Sequence, residues 1–79
     1  MQLKEKYKIY LIVGQNIKKY RIKNHLTQKE LAKRSGYSYS YIKKIEGPDS
    51  PKNFSLLTLY NISESLNIDI KSLFDDINI

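Results

Sequence analysis

At 79 residues the chain has the size of one domain, 1–79, near the lower limit for a core that folds without staples. It contains no cysteine and a single histidine, His25. That excludes a disulfide framework, a thiolate metal site and a histidine-built zinc centre, so no cofactor is expected, and a reducing compartment fits. The net charge of +6 is uneven: residues 1–52 hold 13 Lys/Arg against four acids, whereas residues 53–79 hold one lysine against four. A basic front and an acidic tail suggest one face for a polyanion, although a merely solvated surface has the same composition. No apolar run approaches the roughly 20 residues of a membrane span, and Tyr7 to Val13 is too short. It also lacks a signal-peptide cleavage site. The expected location is the cytoplasm, with the nucleoid if the source is bacterial.

The first predicted helix runs from about Lys6 to Asn24. Val13, Ile17, Tyr20 and, just beyond its end, Leu26 recur at the three- and four-residue steps of one apolar stripe. Tyr7-Lys8-Ile9-Tyr10 alternates and is rich in strand formers, so a short N-terminal strand is an open alternative. Thr27 followed by Glu30 predicts a capping box opening a second helix, with Leu31 and Ala32 facing inward and Gly36 as its left-handed stop. Ser38 caps a third helix from Tyr39 to Glu46, whose inner face is Ile42 and Ile45. Its eight residues span about 12 Å at ~1.5 Å each, comparable with the ~12 Å width of the major groove.

The loop from Gly47 to Asn53 carries two prolines and delays the next helix. Ser55 caps that fourth helix, with Leu56, Leu59, Ile62 and Leu66 as its stripe. Asp69 caps a short fifth helix carrying Leu73 and Phe74. The expected fold is all-α, with five helices.

Two short helices joined by a tight glycine turn form a helix-turn-helix, in which the second helix presents its N-terminal turns to base edges. The segments TQKELAKRSG, SYIKKIE and SLLTLYNISESLNI resemble the lambda-repressor-like, or Xre-type, helix-turn-helix family of bacterial and phage regulators. The resemblance covers about Val13 to Phe74. It implies that Gln28 binds a backbone phosphate, and that Ser38, Tyr39, Ser40 and Lys44 point into the groove. Helical spacing agrees for Tyr39, Ser40, Lys43 and Lys44, which fall opposite Ile42 and Ile45.

Chemically, Tyr39, Ser40 and Lys44 suit base edges, with Lys44 donating to guanine O6 and N7. Ser38 and Lys43 suit phosphates. Tyr41 could cover the core with its ring and reach a phosphate with its hydroxyl, and Tyr37 reads as structural. Lys52 and Asn53 are further phosphate candidates, although Asp49 opposes them. The resemblance also implies a structural ion pair between Arg21 and Glu46, holding the third helix at its angle. The sequence departs from the family in its tyrosine-rich third helix and in Phe54, which stands where a proline is usual.

An enzyme reading finds no support. Asp75 and Asp76 are adjacent and do not converge, Glu64 has no partner base, and His25 reads as a solvated helix cap. The expected function is sequence-specific binding of double-stranded DNA by a transcriptional regulator, without a small-molecule ligand. A homodimer would read a palindrome with half-sites about 34 Å apart. The expected dimer surface is C-terminal: Ile70, Phe74, Ile77 and Ile79. The alternative is a protein-interaction or antitoxin-type module with secondary DNA binding.

Overall fold

The computed structural model describes residues 7–48 and 54–77. It holds α1 (Lys8–Lys23), α2 (Gln28–Ser35), α3 (Tyr39–Glu46), α4 (Leu56–Ser65) and a short 3-10 helix, Ile70–Phe74. No strand occurs among the described residues, and the class is all-α. Lys8–Tyr10, the alternating stretch, forms the first turn of α1. Tertiary packing decides that conformation: the Tyr10 ring meets Phe54 edge-on, with centroids 5.2 Å apart, and Phe54 is buried.

The helix starts follow from local chemistry. Thr27, Ser38 and Ser55 sit in extended backbone, and each hydroxyl accepts from the amide three residues on. At Thr27 the Glu30 carboxylate also accepts from the cap amide at 2.8 Å, completing the capping box.

The ends of α1, α2 and α4 share one device. His25, Gly36 and Asn67 take positive φ, at 58°, 81° and 56°. The amide after each reaches back five residues: Leu26 to the Arg21 carbonyl, Tyr37 to Ala32 and Ile68 to Ser63.

The core joins all five elements. Val13 and Ile17 of α1 meet Leu31 and Ala32 of α2, Ile42 and Ile45 of α3, Leu59 and Ile62 of α4, and Leu73. The inner side of α3 therefore rests on α1 and α2, and its other side is left outward.

Three expectations need correction. The fifth helix is a five-residue 3-10 helix, and Asp69 makes no side-chain cap hydrogen bond. Its C-terminal end is tied down instead by buried Asn16, whose Nδ2 donates to the Leu73 and Asp75 carbonyls at 2.9 and 2.7 Å. Leu56 is not part of the inner stripe of α4: it is 71% exposed, and Thr58, Leu59, Ile62 and Ser63 face inward. Ile70 and Ile77, expected on an open dimer surface, are partly buried against the core. Phe74 stays partly exposed, and Ile79 lies outside the described residues.

Candidate nucleic-acid interface

On α3 every residue type has a side. Ile42 and Ile45 are fully buried and Glu46 nearly so, while Tyr39, Ser40, Lys43 and Lys44 are exposed. The one acid of the helix is thus turned inward, and the outer face offers a phenol, a hydroxyl and two ammonium groups. Ser38 is exposed, and its oxygen accepts from the Tyr41 amide at 3.1 Å.

What holds this helix in place converges on Glu46. Arg21 Nε and Nη2 donate to its two carboxylate oxygens, each at 2.8 Å, in a fork-to-fork pair. Arg21 Nη1 donates to the Leu26 carbonyl at 2.8 Å, and Gln28 Nε2 to Glu46 Oε1 at 3.1 Å. Gln15 Nε2 donates to the Glu46 backbone carbonyl at 3.0 Å, closing the C-terminal end of α3. Both charged side chains are shielded, at 11% and 1% exposure, so their attraction is weakly screened. One amide hydrogen of Gln28 is thereby engaged within the protein, and its second remains for another acceptor.

Tyr37 and Tyr41 belong mainly to the scaffold. The Tyr37 hydroxyl accepts from Asn61 Nδ2 at 3.0 Å and donates to Thr58 Oγ1 at 3.4 Å, fastening the turn to α4. The half-buried Tyr41 ring lies 5.4 Å from that of Tyr37. Lys52 and Asn53 lie outside the described residues.

Around α3, Lys29, Lys33 and Arg34 of α2 are exposed and add to the positive surface. Arg21, Thr27, Gln28, Lys29 and Tyr39 line a cleft of about 380 Å³ between α2 and the start of α3. The Glu30 carboxyl is held below its ordinary range by the Thr27 amide and then its hydroxyl, so the box stays charged beside this cleft. Sequence reasoning missed Gln15 and Lys29. Gln15 is 31 residues from its acceptor, and Lys29 looks like any exposed helix lysine until the fold brings Tyr39 beside it.

Over residues 14–79 the chain matches the family described as a helix-turn-helix domain. It belongs to the helix-turn-helix family, in its lambda-repressor-like, Xre-type form. This helix-turn-helix chain is 34% identical over 62 residues to the control protein C.SmaI of Serratia marcescens, covering 78% of itself and 71% of that protein. Its fold is similar to the restriction-modification controller protein C.AhdI of Aeromonas hydrophila, with a TM-score of 0.75 and 29% identity over 82% of this chain and 96% of that one. It is similar also to SinR, a master regulator for biofilm formation solved in complex with DNA. There the TM-score is 0.73 and the identity 33%, over 80% of this chain and 98% of that one. The family is one of DNA-binding regulators. Among the described residues, no helix is long and apolar enough to cross a membrane.

Proposed function

We propose that the chain is a sequence-specific double-stranded DNA-binding transcriptional regulator, with α2 and α3 as its helix-turn-helix and α3 entering the major groove. The observation that carries this reading is the division of α3. Its apolar and acidic residues are buried, and its outer face is phenol, hydroxyl and ammonium. Such a face meets base edges and phosphates without any carboxylate to repel them. That SinR was solved with DNA supports the same use of a similar fold.

In this proposal Tyr39, Ser40 and Lys44 touch bases. Gln28, Ser38, Tyr41 and Lys43 touch phosphates, with Lys52 and Asn53 as further candidates. The second amide hydrogen of Gln28 is its means of doing so. Arg21 and Glu46 act from below by fixing the angle of α3.

The protein binds a palindromic operator as a homodimer, because one short helix reads too few base pairs to discriminate well. With Ile70 and Ile77 drawn toward the core, the dimer surface moves to Leu56, Leu57 and Tyr60, which are 71%, 65% and 49% exposed. At 100° per residue they share one outward arc of α4. A foreign protein bound to that arc is the mark of the interaction-module alternative.

The test is a set of alanine variants titrated against a preferred and a scrambled duplex. Tyr39→Ala and Lys44→Ala should lose preference at particular bases, by about 1–3 kcal/mol each. Lys43→Ala and Gln28→Ala should weaken both duplexes alike. Loss of preference from Lys43→Ala but not from Tyr39→Ala or Lys44→Ala would reverse the assignment.

A further inference from the structure

Two ammonium groups stand close to the Tyr39 ring. Lys43 Nζ lies 5.1 Å from its centroid and Lys29 Nζ 5.3 Å. Both are within the distance at which a ring quadrupole attracts a cation. They come from different helices: Lys43 is one turn along α3, whereas Lys29 reaches across from α2.

The position of Lys29 is otherwise unfavourable. It occupies the first turn of α2, at the positive end of the helix dipole, where a cation is disfavoured. The acid beside it, Glu30, is engaged by Thr27, and among the described residues Lys29 forms no salt bridge. Its ammonium lies against the Tyr39 ring, and the two residues line the same cleft.

We propose that Lys29 is a positioning residue for Tyr39. It holds the phenol ring in the orientation from which the ring reads a base, so discrimination between duplexes depends on a lysine of the preceding helix. The inference rests on the reading of α3 as the groove-entering helix. Physically, a half-exposed tyrosine left alone samples several rotamers and must be ordered when DNA binds. The Lys29 ammonium at its ring narrows that freedom beforehand, by the ~0.5–1 kcal/mol of an exposed contact. Lys29 also carries charge toward phosphates, so a simple loss of affinity would not distinguish the two roles.

The test is a double-mutant cycle: Lys29→Gln in the Tyr39 protein and in a Tyr39→Leu background, with Lys29→Arg as the conservative variant. Each is measured on a preferred and a scrambled duplex. The ratio of the two affinities should fall about fivefold on Lys29→Gln when Tyr39 is present. It should be unchanged in the Tyr39→Leu background, and Lys29→Arg should keep it. An equal fall in both backgrounds, or no fall in either, would overturn the assignment. In the free protein the Lys29 ε-methylene protons should be shifted upfield by the ring and return on Tyr39→Leu. Unshifted protons would overturn the contact itself. An unsubstituted protein that prefers no duplex would instead sink the DNA reading, and the proton shift would still report whether Lys29 and Tyr39 are paired.

Discussion

Glu46 is a carboxylate with 4% of its surface exposed, and it is tolerated there because Arg21 and Gln28 donate to it three times. Glu46→Gln strands the Arg21 guanidinium and should cost about 3–5 kcal/mol in urea unfolding. A double Arg21→Met, Glu46→Gln variant should recover part of that loss, since no buried charge is left unpaired. His25 makes the opposite case. It is an exposed L-residue at φ 58° in a turn that glycine enters freely. His25→Gly should therefore raise stability by about 0.5–1 kcal/mol, read as a higher melting temperature. An unchanged or lower melting temperature would mean that the side chain makes up for its backbone.

Among the elements, the C-terminal 3-10 helix and the residue after it are tied to partners 55–59 positions away. Asp75 accepts from the Tyr20 hydroxyl and pairs with Lys19 at 3.5 Å, joining the end of the chain to the middle of α1. The Tyr20 hydroxyl and then Lys19 hold the Asp75 carboxyl below its ordinary value, against some desolvation. Asp75, as acceptor and as charge, pushes the Tyr20 phenol up. The signs are opposite. The Asp75 contribution is present above its unfolded pKa of about 3.9 and is lost as pH falls through the lower folded value. The Tyr20 contribution is present below about pH 10 and is lost as pH rises through the higher folded value. Thermal stability should thus decline on both sides of a broad plateau, and Asp75→Asn should flatten both declines.

How much could be read from the chain follows the sequence distance over which each contact acts. Thr27, Ser38, Ser55 and Gly36 act on amides and carbonyls within five residues, so their roles are visible in the sequence. The outer face of α3 was legible for a similar reason, since Ile42 and Ile45 fix its opposite. Leu56 was misread because it stands three residues before Leu59 and fits a helical stripe. The fold instead buries Thr58, whose hydroxyl meets Tyr37 and Ser55. Asn16 and Tyr20 bond to residues 55–59 positions away, and no local pattern records such a contact. The link between Arg21 and Glu46, 25 positions apart, came from family resemblance rather than spacing.

For the molecule as a whole, the most exposed apolar arc lies on an element without a basic residue. Exposed lysines lie on α1, α2 and α3, whereas α4 carries Leu56, Leu57 and Tyr60 outward and has no lysine or arginine. Leu57→Lys should make the protein a monomer by sedimentation with little change in melting temperature, since Leu57 is 65% exposed. A monomer already at tens of micromolar without the substitution would contradict the dimer. Operator affinity should fall with salt at a log–log slope of about 0.9 for each phosphate neutralised. Whether the outer face of α3 reads bases is decided by selecting bound sequences from a random duplex pool. Base reading by a dimer should enrich a two-fold symmetric sequence with half-sites about one helical turn apart, some 34 Å. A recovered pool with no sequence preference would contradict it.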